Sequence, residues 1–163
     1  MKAMKQAQKI FVGMSGGVDS SVAAHLLKEQ GYDVVGVYLL CFSGSGEACT
    51  AERDKEDARA AARHLGIPLY VWNLEKEYQE KVINYMVEGY RVGITPNPDV
   101  MCNREIKFGI FLKRALAMGA DYVATGHYVR RAESGQRIPD SHPAHSLTPN
   151  RYALHAARDS NKD

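Results

Sequence analysis

The seven residues Ser15-Gly16-Gly17-Val18-Asp19-Ser20-Ser21 constrain this chain more than any other stretch of it. They follow a short apolar run, Ile10-Phe11-Val12, and lead into Ser20 to Gln30, where Val22, Ala23, Leu26 and Leu27 fall on one helical face. The pattern is strand, loop, helix. Small residues at a helix N-terminus expose backbone N–H groups at the positive end of the helix dipole, which is what binding a polyphosphate requires. Gly16 and Gly17 allow close approach of the backbone, Ser15, Ser20 and Ser21 offer hydroxyls, and Asp19 offers a hard oxygen ligand for a Mg²⁺ that bridges phosphates. A glycine pair alone would equally be a plain turn with Asp19 capping the helix; seven matching residues between a strand and a helix are far more specific. This is not a Walker loop, because no Gly-Lys-Ser or Gly-Lys-Thr follows four variable residues.

The rest of the chain repeats the alternation. Asp33 to Leu40 is a near-continuous apolar run, as expected of a strand covered on both faces, and Gly31 stops the helix before it. After the Gly- and Ser-rich stretch Cys41 to Cys49, Thr50 is placed to cap a helix running to about Leu65, which Gly66 and Pro68 end. Leu69 to Trp72 reads as a third strand, Glu75 to about Tyr90 as a helix, and Thr95-Pro96-Asn97-Pro98-Asp99 as a rigid loop. A helix from about Asn103 to Met118 and a fourth strand, Asp121 to Thr125, complete the pattern. Such alternation implies right-handed crossovers and a doubly wound, Rossmann-like parallel α/β sheet, with ligands at the C-terminal ends of the strands. Beyond Arg130 loop composition takes over, and Arg151 to His155 is a candidate short strand. The expected division is a nucleotide-binding domain over 1–131 and a loop-rich segment over 132–163.

Composition sets the limits. The 163 residues are 45% hydrophobic and 25% charged, enough for one well-buried core, and the formal charge of +2 does not by itself predict nucleic-acid binding. Three cysteines, Cys41, Cys49 and Cys102, without paired spacing, fit neither a disulfide framework nor a four-ligand zinc site and favour a reducing compartment. The apolar run after the lysine-bearing N-terminus is too short for a signal or a membrane span, so the expected location is cytoplasmic, with no membrane partner.

Ser-Gly-Gly-Val-Asp-Ser resembles the signature of the ATP pyrophosphatase (PP-loop) family, whose fold is adenine nucleotide alpha hydrolase-like and whose members cleave ATP between the α and β phosphates to adenylate a carbonyl oxygen. By this resemblance Gly13, Met14, Ser15, Gly16, Gly17, Val18, Asp19, Ser20 and Ser21 bind ATP, with Mg²⁺ held by Asp19 through the nucleotide. Leu39, Gly126 and His127, at the ends of other strands, are further candidate contacts; His127 would equally cap a strand end or face solvent.

The loop does not name a substrate; a second run does. Thr95-Pro96-Asn97-Pro98-Asp99-Val100-Met101-Cys102-Asn103-Arg104-Glu105-Ile106-Lys107-Phe108 resembles the corresponding segment of tRNA-specific 2-thiouridylases, as do Cys49-Thr50-Ala51-Glu52, residues 120–128 and the terminal Asp159-Ser160-Asn161-Lys162-Asp163. The resemblance implies that O2 of a tRNA wobble uridine is adenylated and that sulfur from a persulfide donor protein replaces it. It makes Cys102 and Asp99 catalytic, together with a second cysteine from a later domain, and implies disulfide chemistry. An arbitrary cysteine there would simply be a small buried residue; the surrounding motif argues for chemistry. Cys102, expected just before a helix with Arg104 nearby, would be favoured as a thiolate. Asn97, Asn103, Arg104, Lys107, Arg130 and Arg131 are candidate tRNA contacts, although most basic residues here would equally be ordinary surface. Family members continue into further domains, so this chain is expected to bind ATP without thiolating tRNA alone. The competing readings are a PP-loop ligase that amidates with ammonia, like GMP or NAD synthetases, and a non-catalytic nucleotide- or tRNA-binding module.

Overall fold

The computed structural model describes residues 7–43 and 50–127. Four strands, β1 (Lys9–Gly13), β2 (Asp33–Leu40), β3 (Leu69–Asn73) and β4 (Tyr122–Thr125), form one sheet in the order β3-β2-β1-β4, with every pairing parallel. The chain therefore steps outward from β1 to β2 and β3, then crosses back to place β4 on the other side of β1. The direction of winding reverses between β1 and β4, which is where a crevice opens in sheets of this kind.

Side-chain alternation along the strands covers both faces. Ile10, Val12, Val34 and Tyr38 pack with Leu27 of α1 (Val18–Glu29) and Ala58 and Ala62 of α2 (Ala51–Leu65). Phe11, Val35, Val37 and Val123 point the other way, into a cluster with Trp72, Ile106 and Phe111. This two-sided burial is why β2 reads as an apolar run rather than an alternating one.

The second face is covered by two composite helical rods. One runs from α3 (Glu75–Tyr78) through a π-helical turn, Gln79–Ile83, into α4 (Asn84–Arg91). The other begins with α5 (Pro98–Met101), continues as a π-helical segment, Cys102–Phe111, and ends as α6 (Leu112–Ala117). The expected helix at 103–118 thus starts five residues earlier: Pro98 stands in its first turn, and the Asn97 side chain accepts from Val100 N at 3.1 Å. Its wider i→i+5 winding is not visible in hydrophobic spacing. Thr50 does precede α2, but it makes no side-chain cap; its hydroxyl donates to Asp54 Oδ2 at 2.7 Å. The candidate strand at 151–155, with Arg130, Arg131 and Cys49, lies outside the described residues.

Candidate active site

The segment leaving β1 is held by its own hydrogen bonds. Met14 N donates to Val37 O at 2.8 Å, which carries the chain off the sheet edge. Ser15 N then donates to Ser20 Oγ at 3.1 Å, and Ser20 Oγ and Ser21 Oγ both donate to Gly17 O, at 3.2 and 2.9 Å. The hydroxyls of Ser20 and Ser21, expected to face phosphate, are committed to shaping the loop. Gly17 caps α1 without any side-chain acceptor, so the first-turn amides are not covered by a capping group.

Two glycines allow the neighbouring elements to close on this loop. Gly16 has φ of +84°, and a Cβ there would lie 2.4 Å from Asp54 O, so α2 packs directly on the loop backbone. At the end of β4, a Cβ on Gly126 would lie 2.7 Å from Ser20 N. Both positions are close approaches of main chain to main chain, which a side chain would block.

A cavity of about 400 Å³ opens above the ends of β1, β2 and β4. Its walls include Gly13, Met14, Ser15, Gly17, Asp19 and Ser20 from the loop, Tyr38, Leu39 and Cys41 from β2 and its end, and Thr125, Gly126 and His127 from β4 and its end. Asp54 of α2 and Cys102, Lys107 and Phe111 of the π-helical segment complete it. The loop and Cys102, 81 positions apart or more in sequence, therefore face one space. Cys102 is half-buried, neither sealed in the core nor on the opposite side of the sheet. Of the other candidates, Val18 is 76% exposed, and Gly16, Val18 and Ser21 support the loop without lining the cavity.

The surroundings of Cys102 differ from the expectation. It sits after the four residues of α5 rather than at a free N-terminus, and Arg104 is turned to Glu105, with Nε 2.8 Å from Oε1. The Cys102 thiol is held above its ordinary value rather than favoured as a thiolate: burial pushes it up, Lys107 pulls it part of the way back, and Asp99, three residues back on the same helical face, pushes it up again. Asp99 itself is exposed and lies outside the cavity lining. Cys41 is pushed up to about 12, first by burial and then by Cys102, against the pull of Lys107. Cys41 and Cys102 are free thiols, so the disulfide expected from the family resemblance is not found among the described residues.

His127 is fixed from both sides. Its Nδ1 lies 2.7 Å from Thr125 Oγ1, and its Nε2 lies 3.1 Å from Asn103 Oδ1 and 3.3 Å from Lys107 Nζ. Burial, reinforced by Lys107, holds the imidazole below its ordinary range, so it is neutral near pH 7. Two candidate tRNA contacts, Asn103 and Lys107, are thus engaged inside the site, and Asn97 is engaged as a cap. Cys41, Tyr38, Asp54, Thr125 and Phe111 were not singled out as site residues; nothing short of the register of β2 against β1 would have placed the first two there. Among the described residues no group of three or more His, Cys, Asp or Glu converges as a metal site. No helix among them is long and apolar enough to cross a membrane.

A sequence profile described as tRNA methyl transferase HUP domain matches residues 8–163. The chain belongs to that family. Its curated relatives include the tRNA-specific 2-thiouridylase MnmA of Staphylococcus saprophyticus, 57% identical over 78% of this chain and 35% of the relative, and that of Bacillus subtilis, 52% identical over 85% of this chain and 38% of the relative. The chain spans just over a third of the length of these relatives. Among solved structures, the U34-tRNA thiolase NcsA of Methanococcus maripaludis superposes with a TM-score of 0.55 at 22% identity, covering 74% of this chain and 38% of that one. An NH3-dependent NAD synthetase of Campylobacter jejuni gives 0.52 at 15% identity, over 76% and 49%. At such identities the structural neighbours speak to the fold, which is adenine nucleotide alpha hydrolase-like, and the resemblance to 2-thiouridylases rests on the closer sequence relatives.

Proposed function

We propose that these residues form the ATP-binding and sulfur-transfer centre of a tRNA-uridine 2-sulfurtransferase. The observation that carries this reading is the single cavity lined by both the glycine–serine loop and Cys102. At about 400 Å³ it falls within the usual range for small-molecule sites. The uncapped first turn of α1 and the close backbone approaches at Gly16 and Gly126 suit a polyphosphate. Asp19 would hold Mg²⁺ together with phosphate oxygens, and the ion would neutralise charge on the departing pyrophosphate.

In this reading O2 of the wobble uridine attacks the α phosphorus of ATP, and pyrophosphate leaves. The outer sulfur of a cysteine persulfide then bonds to C2 and AMP departs with the original oxygen; a second cysteine thiolate attacks the carrier sulfur, breaks the S–S bond, releases 2-thiouridine and leaves a disulfide between the two cysteines. Cys102 carries or receives that sulfur, supplied by a donor protein, and Asp99 stands three residues away on the same helical face to accept a proton. A base reaches such a cleft only when swung out of its stack, which a single-stranded anticodon loop allows. Arg104, and Arg130 and Arg131 outside the described residues, are proposed to meet RNA phosphate. A thiol in the cavity also favours this reading over an amidating ligase, which has no use for one.

The test is mass spectrometry of wobble uridines in tRNA from cells lacking the gene, complemented with the wild-type gene or with Cys102→Ala. Wild type should restore 2-thiouridine and the variant should not. Full restoration by Cys102→Ala would overturn the assignment.

A further inference from the structure

We propose that Lys107 is a positioning residue for sulfur chemistry, its ammonium facing Cys102 across the shared cavity and easing formation of the reactive thiolate against the burial that opposes it; this rests on the reading of Cys102 as the sulfur-bearing thiol. On an α-helix of 3.6 residues per turn, residues five apart point about 140° away from each other. The segment Cys102–Phe111 is π-helical, and its i→i+5 winding brings the fifth residue back toward the starting face. Cys102 and Lys107 accordingly line the same cavity. The π geometry is what makes them neighbours.

Lys107 is available for this role. Among the described residues its polar partner is the His127 imidazole, with Nζ 3.3 Å from Nε2, rather than a carboxylate. That imidazole is held neutral, so it orients the ammonium without cancelling its charge. A half-buried cation without a counter-ion calls for an anion in the space it faces. The groups around Cys102 are Asp99 on its own rod, Cys41 from the end of β2, and Tyr78 from α3, with Glu77 nearby acting on Cys41. All of these oppose thiolate formation when ionised. Lys107 is the group that favours it, and it pulls both thiols in that direction.

The experiment is peptide-resolved alkylation of Cys102 by iodoacetamide, without nucleotide, in the wild-type chain and in Lys107→Met and Lys107→Arg. Lys107→Met should move the inflection of the rate–pH profile up by about one unit, slowing alkylation at pH ~8 by up to about tenfold. Lys107→Arg should keep the wild-type profile. If Lys107→Met does not fold, Lys107→Gln, which keeps a polar group at the same place, is read instead. An unmoved inflection in the folded neutral variant overturns the proposal; so does an unmoved inflection accompanied by weakened ATP binding, which would assign Lys107 to phosphate alone. The profile does not depend on tRNA or ATP. Failure of the thiolase reading and failure of this proposal are therefore separate results.

Discussion

The two walls of the cavity are built from different material. The wall at β1 and α1 is main chain: amides at the start of α1, two glycines pressed against neighbouring backbone, and serine hydroxyls spent on the Gly17 carbonyl. The wall facing it is side chains, Cys102, Lys107 and Phe111, presented by a π-helical segment and tuned by burial and by one another's charges. A backbone wall presents the same dipoles at any pH and fails only if the chain cannot take up its conformation. A side-chain wall responds to pH and to the loss of any one member. Binding of a polyphosphate suits the first and proton-coupled sulfur chemistry the second, so the division of material matches the division of labour proposed for them.

Substitutions can break this contrast. Phe111→Ala gives the largest effect expected. Phe111 is fully buried, its ring centroid is 5.7 Å from that of Trp72, and it carries the side-chain wall on the core. Truncation should cost roughly 3–5 kcal/mol of stability in denaturant titration, because the ring is fully buried and its contacts with the core cannot be replaced by water. A loss under about 1 kcal/mol would show that the π-helical segment is not anchored there. Gly16→Ala should act on the other wall. It places a β-carbon at a left-handed φ and against Asp54 O, costing roughly 2–4 kcal/mol and most of the ATP affinity in calorimetry. Unchanged affinity would mean that the loop backbone is not what holds the polyphosphate.

The same contrast explains what was legible in the sequence. The backbone wall was visible because its requirements are local: a strand, small residues and a helix in succession, with glycines where the chain must turn. The parallel sheet followed from apolar runs separated by helical spacing, and β2 agreed with its expected bounds residue for residue. The side-chain wall was visible only as a motif. That Cys102 faces the loop depends on β4 crossing to the far side of β1, and that Lys107 turns inward depends on a winding with no hydrophobic signature. In sequence, Lys107 therefore reads as a candidate tRNA contact, and Arg104 both as such a contact and as the cation beside Cys102. Tyr38 and Cys41 enter the site through the register of two parallel strands, which no single segment specifies.

The smallest effect expected, read about one pH unit above the ordinary thiol value, concerns that side-chain wall at alkaline pH. Cys41 has an ordinary value of 9.0 and is pushed up to about 12 in the folded chain, chiefly by burial. Between those values the folded state keeps a proton that the unfolded state has lost, so stability is whole below pH 9 and falls as pH rises through the interval. The slope should approach about 1.4 kcal/mol per pH unit at its steepest, since one proton is released on unfolding. Cys41→Ala should flatten the curve above pH 9 in urea titrations repeated at successive pH values, leaving the contributions of Cys102 and Tyr78, both of which burial also pushes up. If the wild type and the variant fall in parallel, Cys41 is not held protonated, and this wall is wetter than its packing indicates. The backbone wall offers a control: Gly16→Ala should lower the whole curve without changing its slope, because no titrating group is altered there.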